Sequence, residues 1–123
     1  MISVQNLYKS FGQVNILAKI NAKFERGKTN LIIGQSGSGK TVLLKCLLGL
    51  HIPDSGKIFF NDVSLTDLKS KERRLLRQDM GIVFQGSALF DSMNVEENII
   101  FPLKMFTSKT DDEMLERVNE VIK

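Results

Sequence analysis

The sequence predicts an α/β fold with the three-layer core of phosphate-loop proteins, in which helices cover a central sheet, and an antiparallel β arm in front of it. Two observations support this prediction. Apolar residues at period two, such as Ile20, Ala22 and Phe24, indicate strands in the first part of the chain. Further along, a short apolar run, a glycine-rich turn and an apolar helix follow one another directly. The length of 123 residues suggests one domain, residues 1–123.

The strands are predicted from short apolar or alternating runs that end at turn residues. The first two form the β arm around a turn at 10–13, and the third leads into the glycine-rich turn. The fourth follows the turn Pro53-Asp54-Ser55-Gly56, and the fifth is an apolar run before Gln85. In chain order they cover residues 2–7, 16–24, 30–33, 57–60 and 81–84.

The helices are predicted from apolar spacing and from their first residues. The first helix is apolar almost all round, so we expect it to be buried on most sides. Asn94 with Glu97, and Thr110 with Glu113, have the spacing of capping boxes at the start of the last two helices. The predicted helices cover residues 42–50, residues 67–78, a short stretch after Asn94, and residues 111–123.

The composition is that of an ordinary globular protein, with 42% hydrophobic and 25% charged residues and a net charge of +3. The sequence has no apolar run of about 18 residues that would predict a membrane span. Its N-terminus lacks the basic start and apolar core of a signal peptide. Cys46 is the single cysteine of the sequence, so an internal disulfide is excluded. Because it lies among leucines, we expect a buried thiol in a reducing compartment.

The densest basic run lies in the second predicted helix. Such a run fits a surface for nucleic acid or for a membrane, or else the solvated face of a helix that is apolar on its other side. Leu68, Leu75 and Leu76 supply that apolar side and favour the second interpretation. The run consists of Lys69, Lys71, Arg73, Arg74 and Arg77.

Residues 34–41 match G-x-x-x-x-G-K-[ST], the pattern of a phosphate-binding loop. In such a loop, backbone N–H groups surround the phosphates and a helix N-terminus adds partial positive charge. Lys40 is predicted to reach the β- and γ-phosphates, and the Thr41 hydroxyl to bind Mg²⁺. The alternative is a Gly/Ser-rich turn that contains Gly-Lys-Thr by chance. The predicted phosphate-binding residues are Gly34, Gln35, Ser36, Gly37, Ser38, Gly39, Lys40, Thr41 and Val42.

Three further features resemble the ATP-binding-cassette (ABC) ATPases. Phe11, ahead of the loop, matches the aromatic residue that stacks on adenine in that family; the alternative is a core phenylalanine at a strand end. Ser55-Gly56 ends the turn between the buried helix and the next strand, as in the family pattern. Gln85 resembles the Q-loop glutamine, which implies contact with Mg²⁺ and with the attacking water, and a catalytic role beside Lys40. A surface glutamine is the alternative.

The segment 86–103, which includes Ser87, resembles the ABC ATPases of the Mce/Mla type, which power lipid traffic in bacteria with two membranes. The resemblance implies a phospholipid or another hydrophobic substrate and a peripheral position on the cytoplasmic face of the inner membrane. In the family this region faces the membrane subunit, which implies a docking patch for a permease. Burial in the core is the alternative. The residues of this patch are Ala88, Leu89, Phe90 and Met93.

The resemblance covers the first half of the family's domain. After Gln85 there is no Leu-Ser-Gly-Gly-Gln-like signature and no apolar run ending in Asp-Glu, and the only histidine, His51, precedes the place of the family's switch histidine. Val42 also stands where many members have a second hydroxyl, which leaves only its backbone N–H for a phosphate. We therefore expect a fragment of a protein that hydrolyses ATP as a homodimer, with the chain alone binding ATP and Mg²⁺ without turnover.

Two further expectations concern partners. The strand at 30–33 would lack a sheet neighbour, so we expect the chain to self-associate. We do not expect nucleic acid binding. The alternative parent is a non-transport ABC ATPase that acts on nucleic acid or ribosomes, which the basic run would suit.

Overall fold

The computed structural model describes residues 1–86 and 88–123; Ser87, within the segment 86–103, lies outside the described residues. These residues form two compact units, Met1–Gly81 and Ile82–Lys123. The strands are β1 (Ile2–Phe11), β2 (Val14–Phe24), β3 (Ser55–Phe60) and β4 (Val63–Ser64). The helices are α1 (Lys40–Leu47), α2 (Ser70–Gln78), α3 (Val95–Phe106) and α4 (Asp111–Ile122).

The first unit is built on an antiparallel sheet with the strand order β2-β1-β3-β4. β1 is central, and its residue Val4 pairs with Ala22 of β2 on one side and with Ile58 of β3 on the other. β1 and β2 form the predicted β arm, but they are longer than predicted. Phe11, which the sequence places in a turn, is the last residue of β1 and pairs with Val14 across Gly12 and Gln13.

The close approach of β1 and β3 requires a glycine at position 56. Gly56 has φ 90°, and a Cβ there would collide with the carbonyl oxygen of Asn6. A side chain at this position is therefore excluded by both backbone conformation and space. The Ser-Gly pair seen in the sequence thus has a local structural reason at the start of β3.

Helix α1 packs one face against this sheet. Leu43, Cys46 and Leu47 are buried there with side chains from the strands and from the 3-10 turn Leu65–Asp67. The opposite face is open, and Leu44 on it is about half exposed, as is Leu50 beyond the end of the helix. The prediction that this helix is buried on most sides is therefore wrong for the described structure. The core cluster consists of Val4, Leu7, Leu17, Leu43, Cys46, Leu47, Ile58 and Leu65.

Two predicted strands have no ladder partner among residues 1–86 and 88–123. Leu31 and Ile33 in the run 30–33 are 81% and 82% exposed, and Val83 in the run 81–84 is 97% exposed. A strand exists only where another strand accepts its backbone hydrogen bonds. The predictions of strands at 30–33 and 81–84 are therefore wrong for the described structure, because an apolar sequence does not by itself provide a partner strand.

Helix α2 begins at Ser70 rather than at residue 67. Two of its basic side chains hydrogen-bond backbone carbonyls of the same unit: Arg73 Nη1 donates to Leu68 O at 2.7 Å, and Arg77 Nη1 donates to Gly49 O at 3.0 Å. Part of the basic run thus ties the helix to its own unit. This favours the structural interpretation of the run over a nucleic acid surface.

In the second unit both predicted capping boxes are confirmed. Asn94 Oδ1 accepts from Glu97 N at 2.8 Å and Glu97 Oε2 accepts from Asn94 N at 2.9 Å, which starts α3. Thr110 and Glu113 make the same exchange at the start of α4. No helix in the described part of the chain has the length and apolar character needed to cross a membrane.

Candidate functional site

The glycine-rich turn at 34–39 is wound tightly before α1. Ser38 N donates to Gln35 O at 3.1 Å, and Gly37 and Gly39 have φ values of 79° and 96°. These are left-handed conformations that favour glycine. The turn therefore presents backbone rather than side chains at the start of the helix.

Two glycines of the turn have little room for a side chain. A Cβ at Gly39 would lie 3.1 Å from both Ile16 Cγ2 and Ile16 O of β2. A Cβ at Gly34 would lie 2.6 Å from Ser38 Oγ. The turn is thus packed onto the sheet on one side and closed on itself on the other, and this geometry fits a ligand that approaches its backbone.

The Lys40 side chain folds back over this turn. Its Nζ donates to the carbonyl oxygen of Gly34 and, at 3.3 Å, to that of Gln35. The helix that starts at Lys40 has Gly39 as its N-cap, and no side chain caps it. An ammonium group and the N–H groups of an uncapped helix start therefore lie together, and this arrangement attracts an anion.

The next residues differ in what they present to a ligand. Thr41 is exposed in the first turn of α1, and its hydroxyl is available as an oxygen ligand. The Val42 side chain packs against the core cluster, so only its backbone N–H can serve a phosphate. Gln35, Ser36 and Ser38 are exposed along the turn. Apart from the Lys40 interactions and the hydrogen bond from Ser38 N to Gln35 O, the turn offers its polar groups to an approaching phosphate.

Phe11 lies at the end of β1 with 45% of its surface exposed. Lys9 Nζ lies over the ring, 5.1 Å from its centroid. The His51 ring meets Phe11 edge-on, at 5.4 Å between centroids and 69° between planes. The aromatic ring is therefore held in place and still accessible, as base stacking requires.

A polar cluster beside Phe11 was not predicted from the sequence. Asp54 Oδ2 accepts from Ser10 N and from Ser10 Oγ, both at 2.7 Å, and Asp54 Oδ1 lies 3.5 Å from Lys9 Nζ. The hydrogen bonds from the hydroxyl and the backbone N–H of Ser10 lower the pKa of Asp54, with Lys9 as a further cause. The sequence predicts only a turn at 53–56. The contact between Asp54 and Ser10 joins residues 44 positions apart, so no local pattern indicates it.

Gln85 belongs to the second unit, where it is exposed in a turn with Gly86 rather than at the end of a strand. Its predicted contacts with Mg²⁺ and with the attacking water stay predictions. No group of three or more His, Cys, Asp and Glu side chains is placed to hold a metal within residues 1–86 and 88–123. Lone oxygen ligands such as Thr41 fit Mg²⁺, which is commonly held through few protein ligands and the phosphates themselves.

The predicted docking patch also lies in the second unit. Leu89 and Phe90 are 66% and 47% exposed, so burial in the core does not account for them in the described structure. The Phe90 ring packs on Phe101 at 4.7 Å between centroids. Asn98 bonds Phe90 through both its amide oxygen and its amide nitrogen, and also donates to Met93 O at 3.1 Å. An ordered segment thus presents apolar side chains to solvent.

Comparison with known proteins assigns this chain to one family. A family model described as "ABC transporter" matches residues 17–123. The methionine import ATP-binding protein MetN of Clostridium tetani is 39% identical over 124 residues, which span 100% of this chain and 38% of that protein. The sulfate/thiosulfate import ATP-binding protein CysA of Mannheimia succiniciproducens is 38% identical, over 99% of this chain and 34% of that protein. The chain thus spans less than half the length of these relatives.

A further relative is the probable ribonucleotide transport ATP-binding protein mkl of Mycobacterium leprae, 37% identical over 97% of this chain and 34% of that protein. Among solved structures, the dimeric bacterial ABC transporter cassette MJ0796 superposes with a TM-score of 0.87 at 28% identity, over 98% of this chain and 55% of that one. The same cassette in a post-hydrolysis state bound to ADP and Pi gives 0.85 at 28% identity, with the same coverage. The α/β fold predicted from the sequence is confirmed by these neighbours.

Proposed function

This chain belongs to the ABC transporter family, and on that premise we propose that it is the nucleotide-binding part of an ATP-binding subunit that powers a membrane transporter. The observation that carries the proposal is the Lys40 ammonium over the turn 34–39, at the uncapped start of α1. The relatives are named as import ATP-binding proteins, and one structural neighbour holds ADP and Pi. Both facts support a nucleotide as the anion.

In this proposal, Lys40 exchanges its hydrogen-bond partners when a triphosphate binds. In the structure Lys40 Nζ donates to two neutral carbonyl oxygens, of Gly34 and Gln35. A triphosphate replaces them with anionic oxygens, so that both partners of each hydrogen bond carry charge and Coulomb attraction adds to the bond. The uncapped N–H groups at the start of α1 then bond the remaining phosphate oxygens. Binding thus gains charge-assisted bonds at a loop that is already in position.

The other site residues have supporting roles in this proposal. The Thr41 hydroxyl holds Mg²⁺, which neutralises charge on the β- and γ-phosphates when bound. Phe11 stacks on the adenine ring, and Val42 contributes its backbone N–H. Gln85 orients water and metal near the γ-phosphate; its neutral amide does so without adding charge.

We propose that this chain binds Mg·ATP and does not turn it over. Phosphoryl transfer to water needs a group that positions the water in addition to charge stabilisation. In the family an acidic pair after an apolar strand and a signature motif from a partner subunit serve this purpose, and the sequence 1–123 has neither. In our proposal hydrolysis is carried out by a homodimer of the full-length ATPase; the related MJ0796 cassette was solved as a dimer.

The narrower assignment is a transporter for phospholipid or another hydrophobic substrate. It is supported by the resemblance of the segment 86–103 to Mce/Mla-type ATPases, whereas the relatives' names give methionine, sulfate or thiosulfate, and ribonucleotide. In this proposal the exposed patch around Leu89 and Phe90 contacts permease subunits. The subunit then lies on the cytoplasmic face of a bacterial inner membrane.

Calorimetric titration with Mg·ATP tests the proposal. Lys40→Ala removes the ammonium from the loop, and Lys45→Ala is the matched control, because it removes the same charge from the exposed side of the same helix. We expect Lys40→Ala to weaken binding by about tenfold or more, the loss of at least one charge-assisted bond, and Lys45→Ala to leave it within about twofold. Equal affinities for the two variants would contradict a phosphate-binding role for the loop.

A phosphate-release assay on the same samples tests the absence of turnover. We expect no ATP-dependent release above that of buffer. Release that disappears in Lys40→Ala would show that the chain hydrolyses ATP by itself, and would overturn that part of the proposal.

A further inference from the structure

Asp54 contacts three consecutive residues of β1, Tyr8, Lys9 and Ser10, which directly precede Phe11. Its carboxylate accepts two hydrogen bonds from Ser10 and lies 3.5 Å from Lys9 Nζ, and its backbone N donates to Tyr8 O at 2.8 Å. From this juxtaposition, and resting on the proposed function, we propose that Asp54 is a positioning residue for adenine. It fixes the end of β1 so that the Phe11 ring is ready to stack on the base.

The backbone at the end of β1 is held in part by Asp54. β1 ends at Phe11, where Ser10 and Phe11 still pair with Asn15 and Val14 of β2, so only the side toward β3 lacks a ladder partner. The register of β1 with β3 stops at the pair Tyr8 and Ser55. Beyond that pair, the Asp54 carboxylate takes the place of a strand by accepting from Ser10 N at 2.7 Å. The residue before Phe11 is therefore held by a side chain where the ladder to β3 has ended.

The Phe11 ring is held by neighbouring side chains. Lys9 Nζ lies 5.1 Å from the Phe11 centroid, and the Lys9 side chain is only 16% exposed. Asp54 holds that ammonium over one face of Phe11 and balances its charge. His51 meets the ring edge-on. The ring is thus held by Lys9 over one face and by a T-shaped contact with His51, and 45% of the Phe11 surface stays exposed for a planar ligand.

A ring that is already fixed loses less conformational entropy when a base stacks on it, and this increases affinity without any new contact. Removal of the Asp54 charge releases Lys9 and replaces the two charge-assisted hydrogen bonds from Ser10 with weaker neutral ones. This substitution should then weaken the binding of the base and leave the binding of the phosphates unchanged. This separates a positioning role from a general loosening of the unit, which would weaken both.

The test compares Mg·ATP with Mg·tripolyphosphate, which presents phosphates without a base, and uses the ratio of the two affinities as the base contribution. Asp54→Asn keeps the shape of the side chain and removes its charge, Phe11→Ala removes the ring, and the double variant closes a mutant cycle. Asp67→Asn is the matched control, because Asp67 is an exposed carboxylate of the same unit that pairs with Lys57 at 3.1 Å. Circular dichroism verifies that each variant is folded.

We expect Asp54→Asn to lower the affinity ratio about threefold to tenfold with tripolyphosphate binding unchanged, and Asp67→Asn to leave the ratio as it is. In the Phe11→Ala background, Asp54→Asn should have no further effect on the ratio. An unchanged ratio in Asp54→Asn, or an equal loss for both ligands, overturns the positioning role while the proposed function stands. Failure of the wild-type chain to bind either ligand contradicts the proposed function and this inference with it.

Discussion

The antiparallel sheet and the apolar run 30–33 contain the same kinds of residues, but in the run only Ile32 packs against the core, while Leu31 and Ile33 lie in the opposite environment. Val4, Leu7 and Ile58 are at most 2% exposed, whereas Leu31 and Ile33 are more than 80% exposed. The difference is that β1 has a strand on each side and α1 above it, while the run 30–33 has no ladder partner in the described part of the chain. Burial in this chain is therefore decided by available neighbours, and apolar sequence alone does not secure it.

The largest expected effect contrasts one leucine from each region. Leu7→Ala removes a fully buried side chain, so we expect it to lower the free energy of unfolding of the first unit by about 2–5 kcal/mol. Leu31→Ala removes an exposed side chain and should change the free energy of unfolding by no more than about 0.5 kcal/mol. Denaturant unfolding followed by circular dichroism measures both. Similar losses for the two variants would mean that the run 30–33 is packed in solution.

The same comparison separates what the sequence could predict from what it could not. β1, β2 and β3 were predictable because Val4, Leu17 and Ile58 fall into short apolar patterns whose partners lie within the chain. The capping boxes of α3 and α4 were predictable because three residues decide them locally. The strands at 30–33 and 81–84 were not, since their formation depends on partners that a local pattern does not show.

The candidate site divides in a similar way. The turn 34–39 and Lys40 follow from a contiguous motif, and their geometry is local. The exposed face of α1 around Leu44 was missed because a leucine-rich helix suggests burial on all sides. The link between Ser10 and Asp54 was missed because it joins distant positions through one side chain, and a single sequence gives no sign of such a pair.

A second prediction asks whether the exposed run 30–33 drives association. An unpaired strand with exposed apolar side chains is a template for another chain. We expect the wild-type chain to form dimers or larger species that increase with concentration, and the double variant Leu31→Lys, Ile33→Lys to shift this onset to about tenfold higher concentration. Light scattering over a concentration series measures it. Leu115→Lys with Val121→Lys, which places two lysines on α4, is the control with equal charge.

A monodisperse monomer for the wild-type chain across that series would contradict the association. An equal shift of the association onset in the α4 control would show that the added charge, and not the change in the run 30–33, causes the shift.

The smallest expected effect concerns acid sensitivity in the second unit. Hydrogen bonds from the backbone N–H and the hydroxyl of Thr110, with Lys109 nearby, lower the pKa of Glu113. A lowered pKa in the folded state means that this carboxylate stabilises α4 above the ordinary Glu pKa of about 4.3, and that the contribution is lost as pH falls through the lowered value. Helicity should therefore decrease on acidification below about pH 4.

Glu113→Gln removes the titrating group and should reduce this acid-dependent decrease, measured by circular dichroism at 222 nm. Glu116→Gln, on the same helix outside the capping box, is the control and should keep the wild-type profile. Identical profiles for wild type and Glu113→Gln would show that the capping carboxylate does not contribute to the pH dependence.

The central claim is that the turn 34–39 and the start of α1 bind the phosphates of Mg·ATP. Titration of the ¹⁵N-labelled chain with Mg·ATP, followed by the backbone amide resonances, tests it most directly. The account predicts that the largest saturable shifts fall on residues 36–42 and that they are lost in Lys40→Ala but kept in Lys45→Ala. Shifts that fall mainly outside this turn, or that persist in Lys40→Ala, would contradict it.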